Sequence, residues 1–137
     1  MDSNATRRSF LSMSAAIAAP AILGAQSPND TMRVAFIGVG NRGSYLLKNM
    51  LKVAGTKVVA VCDLLPDRAN AAAQAVEKAG GSAAVYSDFR KMLEERKDID
   101  AVVVATPDWT HRDVDIAVLE MGKNLYAEKP LALNIAD

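Results

Sequence analysis

The apolar run Val34 to Ile37 ends abruptly in glycines spaced G-x-G-x-x-G, at Gly38, Gly40 and Gly43. Nothing else in the chain restricts its fold so tightly. Glycine inside an element costs roughly 0.5–1 kcal/mol relative to alanine. Several glycines at a strand's end therefore mark a backbone that turns sharply or admits something very close. The pattern carries weight when a strand precedes it and a helix follows. Met32–Ile37 is a short apolar run bounded by glycine, the signature of a strand buried on both faces. Ser44 to Ala54 places Leu46, Leu47, Met50 and Leu51 at helical spacing. In that setting Gly38 permits the turn, Gly40 leaves room for a pyrophosphate, and Gly43 lets helix and strand pack closely. Main-chain N–H groups at the helix start, helped by the helix dipole, then face the phosphates. Asn41 and Arg42 lie in the same loop and join the candidate cofactor contacts.

A dinucleotide site of this kind needs an acid about 20 residues further on, where it accepts hydrogen bonds from ribose hydroxyls. Asp63 stands there, at the end of the β-branched run KVVAVC. Its carboxylate would repel a 2′-phosphate, which favours NAD over NADP. The plain alternative for Asp63 is a helix cap ahead of Pro66. Arg42 in the loop and Arg68 at the start of the second helix each have two readings. They meet a 2′-phosphate or stack on adenine, or they are solvated surface charges.

Strand-like and helix-like segments alternate through the remainder. Pro66 opens a helix continuing from Asp67 to Ala79, followed by a short strand at Ala83–Tyr86. Asp88 reads as the N-cap of a helix over Phe89–Arg96. Asp100–Ala105 is a buried strand, a helix runs from about Thr110 to Met121, and Asn124–Ala127 is a fifth strand. Strands joined by single helices imply right-handed crossovers and an α/β fold, a doubly wound parallel sheet of Rossmann type. Residues 32–137 form this domain. Asn134 reads as the cap of a further helix, so the chain is expected to stop within its architecture. Trp109 and Tyr126 read as packing residues.

With 16 Lys+Arg against 16 Asp+Glu the formal net charge is zero, which argues against a nucleic-acid footprint and for a small-molecule partner. Residues 1–31 have a different character. TRRSFL, Thr6 to Leu11, precedes an alanine-rich apolar stretch from Ser14 to Ala25. That order resembles a cleavable twin-arginine signal, with Ser12 where lysine is usual. The stretch is shorter than the roughly 20 residues of a membrane anchor. The expectation is export by the twin-arginine translocase to the periplasm or beyond. Cys62 is the one cysteine, so no intrachain disulfide forms, in keeping with folding in a reducing compartment.

VAFIGVGNRG at the first turn, ATPDWTH at residues 105–111 and AEKP at residues 127–130 together resemble the Gfo/Idh/MocA oxidoreductases. The resemblance implies an N-terminal domain that binds a nicotinamide cofactor and a C-terminal α/β domain, absent from this sequence, that supplies the substrate site. By resemblance, Thr106 and Pro107 line the nicotinamide pocket and His111 lies near it. Lys129 sits at the reacting carbon, Pro130 shapes its turn, and Glu128 holds the turn and the cofactor. In that role an ammonium donating to the substrate oxygen stabilises alkoxide character as hydride leaves. Lys129 and His111 are thus the candidate catalytic residues. Homo-oligomers in this family associate through the sheet of the second domain. The implied activity is hydride transfer with a sugar, cyclitol or related polyol. One rival is an NAD-dependent glycosidase working by transient oxidation and elimination; another is a non-catalytic nucleotide-binding domain.

Overall fold

The computed structural model describes residues 31–134. The expected leader, apart from Thr31, lies outside the described residues, as does the helix expected after Asn134. Strands β1 (Met32–Ile37), β2 (Thr56–Cys62), β3 (Ala84–Tyr86), β4 (Ala101–Val104) and β5 (Asn124–Ala127) form a parallel sheet. Its order is β3-β2-β1-β4-β5. The crossovers carry α1 (Asn41–Met50), α2 (Pro66–Lys78), α3 (Phe89–Glu95) and α4 (His111–Glu120), the last preceded by a 3-10 turn at Asp108–Thr110. The sheet is therefore doubly wound, as the alternation of segments requires. The order reverses at β1, and ligands of such sheets bind outside the strands' carboxyl ends at that point.

Both faces of β1 are buried, and its alternation divides the core in two. Val34 and Phe36 pack with Leu47 of α1 and with Ala72, Ala73 and Val76 of α2. Ala35 and Ile37 pack with Met92 and Leu93 of α3 and with Val114 and Val118 of α4. On the α2 side the facing helix residues Ala72 and Ala73 are small, whereas Phe36, Leu47, Met92 and Leu93 supply the bulk of the two cores. β2 carries one irregularity. Val34 pairs with Val58 but Ala35 pairs with Ala60, so Val59 is an extra residue, and Val59 and Ala60 share one side of the sheet.

The first helix differs from the expected Ser44–Ala54. Gly40, in extended backbone, is its N-cap, so Asn41, Arg42 and Gly43 form the first turn. It ends at Met50 because Lys52 and Val53 bond back three residues, to the carbonyls of Asn49 and Met50, closing a tight turn. Elsewhere the ends differ by about one residue, the ordinary fraying of element boundaries. Asp88 caps α3 as expected, accepting from the Arg90 N–H at 2.8 Å. Cys62 is buried in β2, and desolvation pushes its thiol up to about 12. It is a packing residue.

Candidate functional site: a dinucleotide cradle at the carboxyl edge

Gly38 leaves β1 with φ of 83°, and its N–H donates to the Cys62 carbonyl at 2.8 Å. A Cβ at Gly38 would lie 2.7 Å from the Ala105 carbonyl oxygen, so the ends of β1, β2 and β4 meet at this turn. A Cβ at Gly43 would collide with the Gly38 carbonyl, because α1 starts directly against the turn. At Gly40 the nearest atom to such a Cβ is Nη1 of Arg68 at 3.3 Å, the end of a flexible side chain. Of the three glycines, two are demanded by the protein's own packing and Gly40 is open to an approaching group.

This cradle fits a diphosphate. α1 has no side-chain cap and no acidic residue in its first turn. Its first N–H groups have no intrahelical acceptors, and its dipole favours an anion. Asn41 and Arg42 are exposed on that turn. Asp63 is fixed at the end of β2, its Oδ2 accepting from the Val39 N–H and its Oδ1 from the Leu65 N–H, each at 2.9 Å. A carboxylate has about four acceptor positions, so two remain for ribose hydroxyls. The N-cap of α2 is Leu65, and Asp63 ties that helix start back to the glycine loop. The Val39 amide was not singled out from the sequence; no side-chain pattern marks it.

Arg42 has found a partner 86 residues away. Its Nε and Nη2 donate to Oε1 of Glu128 at 2.8 and 2.7 Å, and its guanidinium lies 5.4 Å from the Tyr45 ring centre. The hydrogen bond from Arg42 holds the Glu128 carboxyl below its ordinary range, with the Tyr126 hydroxyl at 3.4 Å adding to it. The Glu128 N–H donates to the Val104 carbonyl at 2.9 Å, anchoring the Glu-Lys-Pro turn on β4. Lys129 follows, exposed, joined to Pro130 by a cis peptide bond.

The Thr106–Pro107 turn is held from both ends. Ala105 N–H donates to the Ile37 carbonyl, and the Pro107 carbonyl accepts from the Thr110 N–H at 2.9 Å and hydroxyl at 2.8 Å. His111 is fully enclosed; its Nε2 lies 3.0 Å from the Thr106 carbonyl oxygen and its Nδ1 3.8 Å from Oδ2 of Asp115. In the described residues it supports the turn from within. Asp115 escaped the sequence reading, although its spacing of four from His111 on one helix face was the available signal. Trp109 and Tyr126 are not packing residues: they are 72% and 53% exposed, one on the 3-10 turn and the other on the edge strand β5.

A five-stranded sheet of this order, with its glycine turn and acid at the carboxyl edge, defines an NAD-binding Rossmann domain. Residues 32–137 match the Gfo/Idh/MocA oxidoreductase family, described as having an NAD-binding Rossmann fold, and the chain belongs to that family. It is 45% identical over 111 residues to glycosyl hydrolase family 109 protein 1 of Phocaeicola vulgatus, an alignment covering 77% of this chain and 23% of the relative. Against inositol 2-dehydrogenase of Salmonella paratyphi B it is 35% identical over 108 residues, covering 78% and 31%. Among solved structures, scyllo-inositol dehydrogenase from Lactobacillus casei with bound NAD(H) and scyllo-inositol superimposes with a TM-score of 0.68 at 27% identity, covering 77% of this chain and 30% of that one. The chain thus spans between about a quarter and a third of the length of these relatives.

Proposed function

We propose that this chain is the cofactor-binding part of an NAD-dependent enzyme that acts on a sugar, cyclitol or related polyol by hydride transfer. The observation that carries the reading is the Asp63 carboxylate, braced by two amides beside an uncapped glycine-rich helix start. Bound NAD supplies the hydride acceptor. The chain's own residues do the remainder. Gly38 to Gly43 bind the diphosphate through main-chain amides, Asp63 accepts from the ribose, and Thr106 and Pro107 bound the nicotinamide side. Lys129 hydrogen-bonds the reacting oxygen and takes up its hydroxyl proton as the hydride leaves, and Glu128 holds its turn.

A second reading is favoured by identity: the glycosyl hydrolase family 109 relative is nearer in sequence than the inositol dehydrogenase, 45% against 35%. In that reading oxidation is transient and a glycosidic substituent is eliminated. Calorimetry of the purified chain with NAD and NADP tests the shared core; NAD binds tighter, and absence of heat with both refutes it. With the protein from its native reading frame, net NADH accumulation on polyols supports the first outcome and sugar release without NADH the second.

Export by the twin-arginine route is part of the same proposal and rests on Arg7, Arg8, Phe10 and Leu11. A folded holoprotein exported this way carries its NAD with it, which suits reactions that regenerate the cofactor. Lysine at both Arg7 and Arg8 is expected to abolish export in cell fractionation.

A further inference from the structure

Beneath the Thr106–Pro107 turn lies a buried polar cluster that neither the glycine loop nor the Lys129 turn uses. Among the described residues, Thr106 Oγ1, His111 Nδ1 and both carboxylate oxygens of Asp115 are enclosed without hydrogen-bond partners. His111 is 0% and Asp115 7% exposed. Buried polar atoms left unpaired are rare and costly, so such a cluster calls for a physical account.

The proton inventory supplies one. His111 Nε2 is 3.0 Å from the Thr106 carbonyl oxygen. A carbonyl only accepts, so Nε2 carries a hydrogen and donates it. In a neutral imidazole Nδ1 is then a bare acceptor. It faces the Asp115 carboxyl at 3.8 Å, and an ionised carboxylate is also only an acceptor. Two acceptors facing each other inside the core leave a buried, uncompensated charge. One additional proton removes the conflict. Whether drawn as imidazolium with carboxylate or imidazole with carboxylic acid, the pair is net neutral, and a modest closure brings its atoms within hydrogen-bond reach. Burial pushes the Asp115 carboxyl up, opposed by the charge of His111.

We propose that Asp115 is a positioning residue: it shares one proton with His111 Nδ1, fixes Nε2–H on the Thr106 carbonyl, and so sets the Thr106–Pro107 turn. The functional half of this inference rests on the reading that the turn borders the nicotinamide. The proton-sharing half stands without it.

The chain has a single histidine, so histidine-selective nitrogen NMR on the full unliganded chain reports one imidazole. Nε2 is expected to carry a hydrogen, donated to the Thr106 carbonyl. Nδ1 is expected to show a bound proton in the parent chain. In Asp115→Asn, whose amide donates to Nδ1, Nε2–H persists while Nδ1 becomes a plain acceptor. An Nε2 without its hydrogen, or an Nδ1 signal identical in both proteins, overturns the shared proton. For the turn, Asp115→Ala is expected to weaken NAD binding by about two- to tenfold, the net worth of one hydrogen bond. ADP-ribose, which lacks nicotinamide, binds unchanged, and Asp115→Asn restores NAD affinity. Equal NAD affinity in Asp115→Ala and the parent chain overturns the positioning role. If the parent chain binds no NAD, the functional reading falls and the NMR result still decides the proton.

Discussion

Gly43→Ala offers the sharpest test of how the cradle is built. In an ordinary helix this change stabilises by about 1 kcal/mol, because glycine is the poorer helix former. Here the new Cβ would strike the Gly38 carbonyl oxygen and lie 2.9 Å from the Gly38 carbonyl carbon. Both atoms are backbone and cannot rotate aside. The start of α1 would have to retreat on the order of 1 Å, loosening dispersion contacts that fall off steeply with distance. Buried Leu47 sits one turn further along the same helix. Overpacking of this sort costs about 1–3 kcal/mol and exceeds the propensity gain. For a domain of this size each net kcal/mol lowers Tm by roughly 4–8 °C. Thermal unfolding followed by circular dichroism measures it. Gly40→Ala is the contrast: its Cβ meets only the mobile Arg68 guanidinium, and its stability cost stays within about 1 kcal/mol. Yet it places a methyl where the diphosphate would approach, so NAD affinity falls without a matching loss of Tm. A Gly43→Ala chain with unchanged or raised Tm would refute the close-packing account of the third glycine.

Asp63→Asn removes the charge that opposes a 2′-phosphate, so the NAD-to-NADP affinity ratio is expected to fall by about tenfold or more, near 1.4 kcal/mol. The amide has a single acceptor oxygen, so one of the Val39 and Leu65 N–H groups loses its acceptor and faces an NH2 instead, and unfolding in urea should register a loss of about 1–3 kcal/mol. Arg42→Gln breaks a pair between an exposed arginine and a partly buried glutamate and lowers Tm only slightly, while the Glu128 carboxyl rises toward its ordinary range in an NMR titration. Arg33 donates to Asp100 through its guanidinium and its backbone N–H, and the guanidinium bond leads in holding that carboxyl below its usual range. A carboxyl lowered on folding adds stability above its unfolded value, near pH 4, that is lost as pH falls through the lowered folded value. Asp100→Asn should therefore flatten the acid limb of the stability profile.

The glycine turn, the acid after β2 and the alternation of strands and helices were legible because each rests on a local rule: a run of apolar residues, a break, a carboxylate at fixed spacing. Helix limits were less so. The first turn of α1 is made of Asn41, Arg42 and Gly43, of which asparagine and glycine are poor helix formers, and it is packing against Gly38 that requires the glycine. The Arg42–Glu128 pair was illegible in principle, since it depends on the parallel sheet bringing together residues 86 apart. His111 was legible as a motif residue but not as a buried one, because burial is decided by how α4 docks. Trp109 and Tyr126 misled through their apolar character, which an edge strand and a surface turn override.

Asp63 is clasped by two main-chain donors before any ribose arrives. A side chain already immobilised forfeits no rotamer freedom on contact, so the entropy that recognition ordinarily consumes was surrendered when the chain folded. With Asp63 in its proposed role, tightness toward the adenosine end would follow from rigidity more than from the number of contacts.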